Sequence, residues 1–127
     1  MRVLEAGDWS LLLPDEWFAD EDDGCILIGD SDEVGVLQFS ELRRDEGAAA
    51  DDLQAFLDPG VAWSKVQCGS FEGMTGALFE DGAALREWYL LCDGLLLFIT
   101  YSCDEANAGL DDAAVDELLA TLRYARA

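Results

Sequence analysis

Hydrophobic and polar residues alternate with a period of two over much of this chain. The most regular strand pattern covers residues 71–101, where Asp81-Gly82 and Asp93-Gly94 separate three apolar runs. Asp-Gly favours the type I′ turn, because both central residues of that turn need positive φ. We therefore predict a three-stranded antiparallel meander with strands over residues 71–79, 85–92 and 95–101.

Shorter strand patterns precede the meander. Residues 7–13 alternate up to Pro14, which cannot donate a hydrogen bond to a strand ladder. We predict a connector over residues 15–18 and a charged turn over residues 20–24. Two apolar runs, residues 25–28 and 34–40, flank an acidic turn and predict an antiparallel hairpin.

Two segments change to a helical period. The first follows Asp51 and Asp52, has apolar residues at 53, 56 and 57, and stops at residues 59–60, Pro-Gly. The second begins at Asp111 or Asp112 as N-cap and ends with Arg123 and Arg126 in its last turns. Its apolar stripe has the spacing i, i+3, i+4 and i+7, and consists of Val115, Leu118, Leu119 and Leu122.

This order of elements predicts an α+β fold. It consists of a central antiparallel sheet of about six to seven strands with two main helices packed against it. A chain of 127 residues is the usual size of one domain, so we predict a single domain over residues 1–127.

A strand that ends in Leu13-Pro14 and is followed by Trp17 resembles the opening of the PsbP-like superfamily. The later hairpin, mid-chain helix, long meander and terminal helix are also similar to that superfamily in their order. The resemblance implies an α/β/α sandwich. The superfamily includes bacterial proteins of secretion and toxin systems, among them effector chaperones and immunity proteins. The resemblance carries no functional motif, so it assigns no site residue.

Charge narrows the function classes. The chain has 28 acidic and 7 basic residues, no histidine and a formal net charge of −21, yet 51% of its residues are hydrophobic. That apolar content indicates a folded domain. Nucleic-acid binding needs clustered lysine and arginine, and catalytic triads need a histidine base, so we expect neither. Without a signal peptide or an apolar run of about 20 residues, we expect a cytoplasmic protein that does not bind membranes.

The metal and redox motifs are weak. The four cysteines form no C-x-x-C pair, so we expect reduced core thiols, with a disulfide only if the chain is exported. Residues 30–41 partly fit a calcium loop, but Val34 occupies position 5 of the loop, where an oxygen ligand is needed. We predict no metal and no cofactor.

The acidity has two explanations that the sequence leaves open. One is a generally acidic proteome, as in a halophile, and the other is a basic protein partner that the acidic field attracts. Under the second explanation, the densest acidic runs and two tryptophans form the partner-binding surface. These residues are Asp15, Glu16, Trp17, Asp20, Glu21, Asp22, Asp23, Asp30, Asp32, Glu33 and Trp63.

We therefore expect a small non-enzymatic protein-binding module, monomeric or dimeric. The leading hypothesis is an immunity protein, as in type VI secretion, that neutralises a bacterial toxin such as a nuclease with a basic cleft. A second hypothesis is an effector-loading chaperone that holds apolar helices on its sheet. The third is a carboxylate-based enzyme that uses Glu80, Asp81 or Glu87.

Overall fold

A computed structural model describes residues 2–22, 24–30, 34–42 and 57–124. Within these ranges the chain forms ten strands and one α-helix. The strands are β1 (Arg2–Ala6), β2 (Trp9–Leu13), β3 (Trp17–Asp22), β4 (Cys25–Asp30), β5 (Gly35–Leu42), β6 (Ser64–Cys68), β7 (Phe71–Glu80), β8 (Ala83–Cys92), β9 (Leu95–Asp104) and β10 (Arg123–Tyr124). The helix α1 spans Asp112–Leu119 and follows a 3-10 turn at Glu105–Asn107.

Seven strands form one antiparallel sheet in the order β3-β4-β5-β9-β8-β7-β6. The predicted meander is its centre, with β7 paired to β8 and β8 paired to β9. Asp81 and Asp93 have φ of 51° and 49°, and a positive-φ glycine follows each of them. The two Asp-Gly turns therefore form as predicted, and the sheet has the expected number of strands.

A second sheet of three strands, in the order β1-β2-β10, was not predicted. It packs on the large sheet through Trp9, whose ring stacks on Phe39 with 5.1 Å between centroids. The Trp9 indole N–H also donates to Glu41 Oε1 at 2.6 Å. The strand predicted over residues 7–13 begins at Trp9, because Gly7 has a φ of 59° and forms the turn from β1.

The two faces of the seven-stranded sheet differ in what covers them. We call the face that contacts α1 and the three-stranded sheet the inner face. Alternate β9 residues from Leu95 to Cys103 point there and join one buried core with Val115, Leu118 and Leu119 of the helix. Burying each such leucine contributes about 1.5–3 kcal/mol, so this core holds the layers together. We call the opposite face the outer face.

The helices differ from the prediction. The described residues contain one α-helix, so two main helices are not confirmed. The helix predicted around residues 51–57 lies almost wholly outside the described residues, and residue 57 is not helical. The terminal helix ends at Leu119, and Arg123 lies in β10 rather than in the last helical turn. Arg126 is outside the described residues.

The prediction of a charged turn over residues 20–24 is wrong for its first three residues, which belong to a strand. Asp20, Glu21 and Asp22 continue β3 and pair with Leu27, Ile26 and Cys25 of β4. Five of the six β3 residues are exposed, because β3 is an edge strand of the sheet. Acidic side chains suit such an edge, since they discourage pairing with another strand.

Candidate functional site

The predicted acidic residues mostly collect on one edge of the sheet. Asp20, Glu21 and Asp22 are exposed on β3, and Asp15 and Glu16 are exposed in the turn between β2 and β3. We call these five residues the acidic edge. A groove of about 360 Å³ runs beside it, between β1 and the β3–β4 pair. The arrangement places negative charge along an edge strand of the sheet, which makes the local electrostatic potential negative.

Two tryptophans of the predicted surface do not join the acidic edge. Trp17 is 4% exposed and belongs to the core, so its ring is not available to a partner, and its predicted contact role is wrong. Trp63 is half-buried and donates its indole N–H to the carbonyl oxygen of Asp58 at 2.8 Å. It meets Tyr89 edge-to-face at 5.8 Å. Tyr89 is on β8, four strands from β3, which is about 19 Å across the sheet.

The remaining predicted residues are divided between described and undescribed parts of the chain. Asp30 ends β4, where it pairs with Trp17 of β3 and is half-buried. Asp23, Asp32 and Glu33 lie outside the described residues.

Arg2, the first residue of β1, contacts the acidic edge strand β3. Its guanidinium donates to the carbonyl oxygen of Trp17 and lies 5.8 Å from the ring centroid of Phe18. Arg2 therefore attaches β1 to the start of β3. The exposed carboxylates further along β3 keep their charge facing solvent.

A second polar cluster, centred on Arg86, was missed by the sequence reasoning. The Arg86 guanidinium lies 4.6 Å from the ring centroid of Trp88 and 2.8 Å from the Asp116 carboxylate. It also lies 3.4 Å from Asp112. These acidic residues are on α1, at least 26 positions along the chain from Arg86, so no local pattern could reveal the pairing. The cluster ties the helix to β8.

Small cavities lie on both sides of Arg86. One of about 180 Å³ is lined mainly by apolar residues, among them Phe79, Ala84 and Cys103. The other, of about 230 Å³, includes Cys68 and Leu119.

Burial, with the nearby Asp116 charge, raises the pKa of the Cys68 thiol to about 11. Cys68 is therefore a protonated core thiol at neutral pH and a poor nucleophile.

All four cysteines are free. Within residues 2–22, 24–30, 34–42 and 57–124, no three Cys, Asp or Glu side chains are grouped to hold a metal ion. In the same ranges no helix is long and apolar enough to cross a membrane.

Glu80 and Glu87, two carboxylates of the enzyme hypothesis, lie on the outer face. Their backbone positions are four residues apart along the strands, about 14 Å. Burial raises the pKa of Glu87, and the charges of Asp58 and Glu80 raise it further. The surroundings of Glu87 therefore disfavour its ionised form.

The architecture is that of the PsbP-like fold. Two solved structures that resemble the chain are the solution structure of cyanobacterial PsbP (CyanoP) from Synechocystis sp. PCC 6803 and the crystal structure of LpqN from Mycobacterium tuberculosis. The chain matches CyanoP with a TM-score of 0.67 and 12% sequence identity, over 97% of this chain and 91% of CyanoP. It matches LpqN with a TM-score of 0.53 and 17% identity, over 95% of this chain and 88% of LpqN.

LpqN is described as involved in cell envelope biogenesis. No family model matches the sequence, and no curated protein matches it. At these identities the likeness establishes the fold alone, since one fold supports many functions.

Proposed function

We propose that this chain is a small acidic protein-binding module, and specifically a cytoplasmic immunity protein that neutralises a cognate bacterial toxin. The toxin would be a nuclease with a basic cleft, which the acidic surface occupies in place of phosphate. The observation that supports this proposal is the acidic edge: five exposed carboxylates on and beside an edge strand of a PsbP-like sheet. A chain charge of −21 extends that field over the whole molecule.

The test is binding and inhibition of the product of the neighbouring gene, because immunity genes lie beside their toxins. Wild-type protein is titrated into the toxin at about 50 and 500 mM salt, with nuclease activity as the second readout. Electrostatic recognition predicts tight binding that weakens strongly with salt, since the Debye length shortens. Absence of binding, or binding unchanged by salt, would contradict the proposal.

A charge-matched pair of variants locates the interaction. The first variant replaces three carboxylates of the acidic edge: Asp20→Asn, Glu21→Gln and Asp22→Asn. The control removes three exposed carboxylates from other surfaces: Glu72→Gln, Asp93→Asn and Glu117→Gln. Both variants have the same net charge. We expect association with the toxin to slow at least tenfold in the first variant and by less than threefold in the control.

An effector-loading chaperone is the second candidate function. The observation that favours it is the exposure of apolar side chains, among them Phe18 and Val36, on the outer face of the large sheet. A chaperone of this kind would keep a secreted effector soluble. Co-expression separates the two roles: an immunity protein removes the toxicity of an active toxin, whereas a chaperone raises the soluble yield of an inactive effector.

A further inference from the structure

Bulky side chains cover one end of the outer face, which we call its closed end, and the residues at the other end are more exposed. At the closed end Trp63 lies against Gly76 and Tyr89, and Tyr89 stacks on Phe98 at 4.6 Å. Leu96, on the same face of β9, is 1% exposed. Exposure then rises along β9, and Ser102 is exposed. Among the residues that the structure describes, bulky side chains therefore cover one part of the face and leave the other part exposed.

Across the open half, strand register places six residues in one line. Pairing joins Phe18 to Gly29, Gly29 to Val36, Val36 to Ser102, Ser102 to Leu85 and Leu85 to Leu78. We call this line the apolar row: Phe18, Gly29, Val36, Ser102, Leu85 and Leu78. Phe18 is 57% exposed and Val36 is 45% exposed, while the two leucines are half-buried. Five strand spacings make the row about 24 Å long.

Carboxylates flank the apolar row on both sides. Glu87 lies two residues beyond Leu85 along β8. On the other side of the row, Asp104 lies two residues beyond Ser102 and Glu80 two residues beyond Leu78. Each flank is about 7 Å from the row, given the rise per residue in a strand. Burial and the charges of Asp58 and Glu80 disfavour the ionised form of Glu87. A cation placed beside Glu87 would stabilise that ionised carboxylate.

Among the described basic side chains, Arg2 contacts the apolar row at its Phe18 end, and the others lie off it. Arg86 is on the inner face, and Arg123 belongs to the three-stranded sheet. Lys65 pairs with Met74, beyond the Glu87 flank, and Arg2 contacts the Phe18 ring at the edge of the sheet. The row therefore combines an apolar centre with negative flanks, in a chain of charge −21. A second copy of the chain would bring like charges together.

We propose that the apolar row binds an amphipathic helix of a basic protein partner. Apolar side chains of that helix lie on Phe18, Val36 and Leu85, and its lysine or arginine side chains reach Glu87 on one side and Glu80 and Asp104 on the other. A 24 Å row accommodates about 16 helical residues, and a helix about 10–12 Å wide fits between the flanks. This inference rests on the proposed protein-binding function and specifies the surface and the chemistry of the partner.

The probe is a 16-residue leucine–lysine peptide whose order gives an amphipathic helix. Its control is a peptide of the same composition in an order without helical amphipathicity. Binding to the full-length chain is measured by fluorescence anisotropy at about 50 and 500 mM salt. We expect the amphipathic peptide to bind at least tenfold more tightly than its control, and more weakly at high salt.

Two valine substitutions form the matched pair of protein variants. Val36→Lys places a cation in the apolar row, and Val3→Lys places one on β1, where the valine is 61% exposed. Both change net charge by the same amount. We expect Val36→Lys to weaken peptide binding at least tenfold and Val3→Lys by less than twofold, with both variants folded by circular dichroism.

Equal losses in the two variants, or equal binding of the two peptides, would overturn the proposal. So would sedimentation showing a wild-type dimer that Val36→Lys converts to a monomer, since a second copy would then occupy the row. Peptide binding at the row without toxin inhibition would leave this proposal standing and reject the immunity function. If the Val36→Lys variant still inhibits the toxin, the proposal for the apolar row is rejected and the immunity function stands.

Discussion

The hydroxyl of Tyr101 donates to the carboxylate of Asp111 at 2.6 Å, and both residues are buried. Asp111 is the N-cap residue of α1, yet its side chain makes no cap hydrogen bond and is directed to β9 instead. The Tyr101 ring also passes over Gly35, where an added Cβ would overlap the hydroxyl. One hydrogen bond thus links the beginning of the helix to the centre of the sheet.

We expect Tyr101→Phe to lower the free energy of unfolding by about 1–3 kcal/mol, because the Asp111 carboxylate loses its buried donor. Urea denaturation measures the change. The control is Tyr124→Phe at another buried tyrosine, for which we expect a change below about 0.5 kcal/mol. Equal effects of the two substitutions would show that the Tyr101 hydrogen bond adds little.

Arg86→Ala should lower the free energy of unfolding by about 1–2 kcal/mol. The substitution removes packing on Trp88 and the ion pairs with Asp112 and Asp116. Arg86→Lys should recover part of the loss, since lysine keeps the charge but not the planar guanidinium. Thermal melts compare both with Arg123→Ala, an exposed arginine that should have little effect. A loss in Arg123→Ala as large as that in Arg86→Ala would contradict this role.

Glu87→Gln should make stability less dependent on pH. The folded-state pKa of Glu87 is raised above its ordinary value of 4.5, so the native state binds more protons than the unfolded state just above that pH. Its contribution to stability is therefore present below about pH 4 and is lost as pH rises. We expect Glu87→Gln to raise the melting temperature by about 1–3 °C at pH 7 and to leave it unchanged near pH 3.5.

The control for that measurement is Glu72→Gln, which changes an exposed carboxylate of β7 on the same outer face of the sheet as Glu87. Its melting temperature should follow the wild type at both pH values. An increment in Glu87→Gln that persists at pH 3.5 would mean that packing, rather than charge, causes it.

Gly73→Ala should cost more than about 2 kcal/mol, because an added Cβ would overlap the carbonyl oxygen of Tyr89 on the neighbouring strand. Gly29→Ala is the matched change at another strand glycine. There the nearest atom to an added Cβ is the Gly35 carbonyl oxygen, 3.6 Å away, an ordinary contact. We expect the Gly29 variant to lose less than about 1 kcal/mol in the same urea denaturation series. Similar losses at both positions would exclude the overlap as the cause.

Local sequence patterns predicted the centre of this fold well. The Asp81-Gly82 and Asp93-Gly94 turns act within a few residues, because their backbone requirement restricts which residues fit. The same holds for the apolar stripe of α1, whose Val115, Leu118 and Leu119 are buried as expected. Composition likewise established a folded, strongly acidic domain without histidine.

Local patterns failed where an element depends on its neighbours. The aspartates and glutamate of residues 20–22 suit a turn by propensity, yet they form an edge strand because β4 offers them a pairing partner. Trp17 looked available to a partner in a short connector, and burial in the core removed it from the surface.

The apolar row is the clearest example of a feature that cannot be predicted from the order of residues along the chain. Its six residues extend from Phe18 to Ser102, and only the register of six strands aligns them. Turn chemistry, hydrophobic period and charge are properties of short segments, so they can be deduced from the residues alone. Which acidic and apolar side chains share a face is decided by strand order and register, because long-range pairing brings distant segments together.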